Sequence, residues 1–123
     1  MYGIFVNEDG GIRYAEAIVK GYKRAETRSR NMLRALEGER VAIIRTKRNK
    51  KPTIIGYADL VRWEFCPWSL WGGTYADTLI PPGSKYDISG RGKYLYYFEN
   101  PQECEPYELP DNAIRHGRSY AEF

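Results

Sequence analysis

The sequence predicts an α+β fold, a small mixed or antiparallel sheet curved into a barrel with helices at its periphery. Three observations predict it. Five or six runs rich in β-branched and aromatic residues are separated by short turns, not by regular crossover helices, which disfavours a doubly wound sheet. Two or three helical pieces accompany them, led by Ile12 to Lys20, which carries a helical apolar period. Aromatic residues make up 15% of the chain and 11 of them are Tyr, a ring with a polar end that suits half-buried strands.

In chain order, Tyr2 to Val6 reads as the first strand. Asn7 to Gly11 is a turn with side-chain acceptors that suit the start of a helix. Ile12, Ala15, Ile18 and Val19 then share one helical face. Gly21 stands at the helix C′ position, where a glycine takes positive φ without a Cβ clash, and Lys20 complements the dipole at that end. Ala25 to Arg28 is extended, with Lys23 in the bend before it. Met32, Leu33 and Leu36 form a short amphipathic turn of helix closed by Gly38. Val41 to Thr46 is a strand, 47–52 a basic hairpin loop, and Thr53 to Phe65 a long strand bent at Gly56. The aromatic stretch 66–75 has no clean period. Pro81-Pro82-Gly83 and Gly90-Arg91-Gly92 mark loops. Lys93 to Glu99 is a strand that Asn100-Pro101 ends. Tyr107 to Leu109 is one more strand. The tail from Asp111 holds a helical turn around Asn112 to Ile114 and then little pattern.

At 123 residues the chain is expected to form a single domain over 1–123, with a core that needs neither metal nor disulfide. The net charge of +3 hides an asymmetry: residues 1–51 hold 13 of the 19 Lys/Arg and 6 of the 16 Asp/Glu. A basic excess of that kind suits phosphates, or a solvated face. Two cysteines, Cys66 and Cys104, and one histidine, His116, form no C-x-x-C pair or His/Cys cluster, so no metal or cofactor is expected. The thiols are expected to be reduced. With no apolar leader and no run long enough for a bilayer, the expected setting is the cytoplasm, away from membranes.

The most informative stretch is Gly21-Tyr22-Lys23-Arg24-Ala25-Glu26-Thr27-Arg28, which follows the helix and reads G-x-K-x-x-E-x-R. On an extended chain Glu26 and Arg28 point to the same side. Lys supplies a mobile point charge, and Arg a rigid fork for phosphate. Glu accepts hydrogen bonds from base amino groups or holds the two cations in place. The blander reading is an exposed ion-pair cluster that orders the corner.

This spacing resembles the signature of the ASCH domains, a branch of the PUA-like superfamily of small RNA-associated β-barrels. The likeness extends through Leu36-Glu37-Gly38-Glu39-Arg40-Val41 and Ile54-Ile55-Gly56-Tyr57-Ala58, covering about residues 12–65. It implies binding of RNA, a nucleotide or a modified nucleoside in a cleft beside the first helix, shaped by Gly21 and lined by Lys23, Glu26 and Arg28. It also implies an alternative. Some small ASCH proteins are amidohydrolases of acylated cytidine, with a catalytic lysine at the position of Lys23 and a threonine where this chain has Glu26. Thr27 is adjacent, but on a strand it faces the other way. The nearest candidate for their downstream glutamate is Glu64. Ribonuclease activity is attributed to other members. A hydrolase here would use Lys23 and Glu26 as its catalytic pair.

Outside the signature, Arg45, Lys47, Arg48, Lys50 and Lys51 read as a phosphate-contacting hairpin loop or as a soluble turn; Arg48 and Lys50 are its candidate ligands. Trp63, Trp68, Trp71 and Tyr75 read as a base-stacking platform or as core and rim packing, with Trp68 and Trp71 the stacking candidates. His116 is an acid/base group or incidental. A protein-docking domain is the third class of function; oligomeric state is not legible.

Overall fold

The computed structural model describes residues 1–123. Its elements are β1 (Tyr2–Asn7), α1 (Tyr14–Val19), β2 (Ala25–Arg28), β3 (Arg40–Thr46), β4 (Thr53–Pro67), α2 (Trp68–Trp71), α3 (Tyr75–Thr78), β5 (Gly92–Glu108), β6 (Ile114–His116) and β7 (Tyr120–Glu122). Short 3-10 turns cover Met32–Leu36 and Gly72–Thr74. The seven strands form one sheet in the order β2-β5-β4-β3-β1-β7-β6. The sheet is mixed: β1 runs parallel to β3, and every other neighbouring pair is antiparallel.

The α+β class matches expectation, but the sheet does not close into a barrel. Closure needs a hydrogen-bonded ladder between the first and last strands, and the edges β2 and β6 share none. A side chain stands in for a ladder near β2: the Arg28 guanidinium donates to the Phe5 carbonyl of β1. The gap bridged by that arginine is where the candidate site lies.

The larger core cluster packs α1 against one face of the sheet, with Ala15, Ile18 and Val19 meeting Ile4, Val6, Val41, Ile43 and Leu60. Phe5, Ala42, Ile44, Ile54 and Ala121 bury the opposite face. The central strands are therefore covered on both sides, which is why they read as unbroken apolar runs. At Gly56 a Cβ would come 2.3 Å from the Gln102 carbonyl oxygen and 2.6 Å from Val19 Cγ1. Only glycine lets β4, β5 and α1 approach so closely, and the β3–β4 and β4–β5 registers both shift beside it.

Three expectations are revised. Asn100-Pro101 does not end a strand: β5 continues to Glu108, with Asn100 at φ 51° and one extra residue between the pairs Asp59↔Glu99 and Tyr57↔Gln102. A bulge accommodates a proline because the ladder skips its missing N–H. The tail is a β-hairpin, not a helical turn. Gly117, at φ 59°, turns β6 into β7, and β7 pairs with β1. The aromatic stretch after Pro67 folds into the two short helices α2 and α3.

Candidate functional site

The first helix ends as its sequence predicts. Gly21 adopts φ 84°; its N–H donates to the Ile18 carbonyl at 3.0 Å, and the Tyr22 N–H to that of Ala17 at 2.9 Å. This Schellman arrangement turns the chain sharply and drives Lys23 inward. At the helix start, the Glu16 N–H donates to the Glu8 carboxylate at 3.0 Å, so the preceding turn does supply a cap.

Lys23 is fully buried. Its ammonium donates to the Thr78 carbonyl at the end of α3, satisfying a backbone acceptor that a helix end leaves free. It lies 3.7 Å from Glu26 Oε1 and 4.9 Å from the centre of the Tyr14 ring. Glu26 sits at the middle of the cluster: Oε2 meets Arg28 Nη1 at 2.8 Å, and Oε1 accepts from the Thr27 N–H at 3.0 Å. Burial pulls the Lys23 amine down to about 8, although Glu26 opposes the change. Burial pushes the Glu26 carboxyl up, but Arg28 and then Lys23 outweigh it and hold the group below the ordinary carboxylate range.

These side chains border one cavity of about 560 Å³. Beside Lys23, Glu26 and Arg28 its wall includes Tyr14 from α1, Phe5 from β1, Tyr86 from the loop before β5, Lys93 from the start of β5, and Arg115 and Arg118 from the tail hairpin. The hydrogen-bond donors of this wall come from segments far apart in sequence. Lys93 is a second buried lysine, donating to the Tyr86 carbonyl at 2.6 Å. Burial lowers its basicity too, against the pull of Glu26. Tyr14 is buried, yet its hydroxyl has no hydrogen-bond partner in the protein. Burial, then Glu26, keeps that phenol above its usual range.

Lys23, Glu26 and Arg28 thus come together as the sequence predicts, and Thr27, expected to turn away, borders the cavity as well. Gly21 shapes the corner without lining it. The remaining candidates lie outside the cavity wall. Arg48 and Lys50 sit in the exposed β3–β4 loop, where the Arg48 N–H donates to Asp9 Oδ1 at 2.7 Å. Trp68 is exposed on α2. Trp71 packs against the core, and its indole N–H donates to Asp87 Oδ1 at 2.8 Å. Asp87 in turn accepts from the Gly83 and Ile88 amides, so Trp71 fixes the loop that carries Tyr86. Glu64 accepts from the Tyr97 hydroxyl at 2.7 Å, away from Lys23. His116 stacks on Tyr120 with ring centres 4.4 Å apart. No group of three or more His, Cys, Asp or Glu side chains is placed to hold a metal. Both cysteines are free, and no helix is long and apolar enough to cross a membrane.

Sequence reasoning missed Tyr14, Tyr86, Lys93, Arg115 and Arg118. Only the last two left a signal: two arginines flanking a glycine, in a half of the chain with an acidic balance.

Compared by sequence, the chain matches no family profile and no curated protein. Compared by fold, it matches the crystal structure of ASCH from Zymomonas mobilis with a TM-score of 0.71 and 24% identity, over 88% of this chain and 73% of that one. The chain has the ASCH fold. A serine-to-alanine mutant of the same Zymomonas mobilis protein matches at TM-score 0.70 and 25% identity, over 88% and 73% of the two chains. A tyrosine-to-phenylalanine mutant matches at 0.70 and 24%, over 88% and 75%. The match extends past the signature region into the later strands of the ASCH fold, where the sequence alone offered only a compatible pattern.

Proposed function

We propose that this ASCH-fold protein binds RNA or a modified nucleoside in the cavity beside the first helix. One observation carries the reading: the three charged side chains of the signature share a single concave wall, with Lys23 and Glu26 buried in it. The volume of about 560 Å³ lies within the usual range of small-molecule sites. Glu26 is held ionised and accepts from a base amino group; Lys23 and Arg28 meet carbonyl or phosphate oxygens. The ASCH fold of the neighbours supports the same role.

The test is titration of short RNAs and ribonucleosides, at moderate salt, into the wild type and the Lys23→Met and Arg28→Ala variants. Binding that weakens at least about ten-fold in either variant, the loss expected for a charged hydrogen bond, supports the reading. Equal affinity in all three removes it.

A second reading, a small hydrolase, is favoured by the Lys23 amine. At about 8 it lies far closer to neutral pH than an ordinary lysine, as an acid/base or nucleophilic lysine needs. Glu26 would then position it. Product from N-acylated cytidine or labelled RNA, lost in Lys23→Met, supports this reading; none at stoichiometric protein ends it for those substrates.

A further inference from the structure

The cavity has two levels. Its floor holds buried Lys23, Glu26, Thr27 and Lys93, and its rim holds exposed Arg115, Gly117 and Arg118. The cations of the inner wall are already engaged: Lys23 by Glu26 and the Thr78 carbonyl, Arg28 by Glu26 and the Phe5 carbonyl, Lys93 by the Tyr86 carbonyl. The rim cations are not. Neither Arg115 nor Arg118 lies within salt-bridge distance of a carboxylate; the one hairpin carboxylate, Glu122, lies 3.9 Å from the His116 ring instead.

Two features place the hairpin and its Arg115 guanidinium at the mouth. The hairpin is tied to β1 by the β1–β7 ladder and by the Phe5 N–H, which donates to the Ser119 carbonyl at 3.1 Å. The Arg115 guanidinium lies over the Phe5 ring, 5.4 Å from its centre, an arrangement that orders an arginine without using its N–H donors. The backbone N–H groups of Gly117 and Arg118 make no hydrogen bond within the protein either. The turn therefore offers two forks and two free amides beside a cavity whose single carboxylate is already shared between two cations. That donor set suits a phosphate group. A neutral nucleoside leaves it unused.

We propose that the β6–β7 hairpin is a phosphate-binding rim, and that the molecule this protein takes is a phosphorylated nucleotide, free or as a unit of an RNA strand, and not a nucleoside. The proposal rests on the reading of the cavity as a nucleoside or RNA site. The base and ribose enter toward Tyr14 and Glu26, and the phosphate stays at Arg115 and Arg118.

Calorimetric titration of the full chain with each of the four ribonucleosides, its 5′-monophosphate, and a trinucleotide lacking a terminal phosphate tests it. The comparison is with Arg115→Gln, Arg118→Gln and the double variant. Both positions are exposed, and thermal melts confirm that the variants fold. The preferred monophosphate or the trinucleotide is expected to bind at least about ten-fold more tightly than the corresponding nucleoside, as hydrogen bonds to charged groups allow. The double variant should abolish that advantage and leave nucleoside affinity within about two-fold, since the nucleoside does not use the lost charge-assisted bonds. An advantage confined to the monophosphate identifies a free nucleotide; one shared by the trinucleotide identifies the phosphodiester of RNA. Nucleoside and phosphorylated ligands binding equally to the wild type, or an advantage that survives the double variant, overturns the rim and leaves the cavity reading standing. No binding by any ligand overturns both.

Discussion

Replacing Glu26 with glutamine removes the one negative charge that faces two cations in the inner wall. The side chains of Lys23, Glu26 and Arg28 are 0%, 9% and 23% exposed, with the carboxylate 3.7 Å from Lys23 and 2.8 Å from Arg28. Breaking a buried ion pair by deleting one partner costs about 3–5 kcal/mol. The low end applies here, because Arg28 reaches water and the glutamine oxygen still accepts from the Thr27 N–H. A loss of about 3 kcal/mol at pH 6.5 is expected, equivalent to roughly 10 °C in melting temperature for a chain of this size. The loss should shrink by roughly 1 kcal/mol at pH 9, where Lys23 is largely neutral and only Arg28 misses its partner. Urea denaturation at both pH values measures it, with Lys23→Met as the second edge of a double-mutant cycle. A loss under about 1 kcal/mol at both pH values would mean that the cluster behaves as an exposed ion pair, and the picture of a buried, charged floor would be wrong.

Four further outcomes are expected. The folded-state value of Lys23 is about 8 against 10.5 for an ordinary lysine. Between those values the unfolded chain holds a proton that the folded chain has released, so stability rises with pH across that window. The gain is at most about 3 kcal/mol, and Lys23→Met removes that part of the slope in pH-dependent urea melts. Gly56→Ala should cost about 3 kcal/mol, since its Cβ would collide with the Gln102 carbonyl and with Val19; urea melts check it. Trp71→Phe deletes the indole bond to Asp87 and should cost about 1 kcal/mol, with faster hydrogen exchange at the Gly83 and Ile88 amides. Arg48→Gln with Lys50→Gln should leave mononucleotide affinity within about two-fold while lowering the salt dependence of RNA binding, as peripheral phosphate contacts do; titration at two salt concentrations separates the effects.

Local chemistry was legible in the sequence wherever the cause was local. Gly21 announced a positive-φ helix end, and the alternation from Ala25 to Arg28 placed Glu26 and Arg28 on one side, where they meet at 2.8 Å. The bend at Gly56 was visible because a glycine interrupts an apolar run. What escaped notice depends on pairing over distance. Lys93 opens β5 like any exposed lysine, and nothing in its neighbours shows that Tyr86 and Glu26 will surround it. The tail looked patternless because β6 and β7 have three residues each, and β7 gains its place only by pairing with β1 at the other end of the chain. Arg115 and Arg118 reach the cavity through that pairing alone. Barrel closure was expected from strand count, but closure depends on a ladder that two short edge strands do not make. Asn100-Pro101 looked like a stop, whereas a bulge in a long paired strand absorbs both residues.

The most direct measurement is a backbone amide NMR titration of the full chain with the tightest-binding ribonucleotide. Saturable shifts are expected at Tyr14, Lys23, Glu26, Thr27, Arg28 and Lys93, continuing onto Gly117 and Arg118. Shifts confined to the 47–51 loop or to the Trp68 surface, with the amides of the inner wall unmoved at saturation, would contradict a nucleotide-binding cavity.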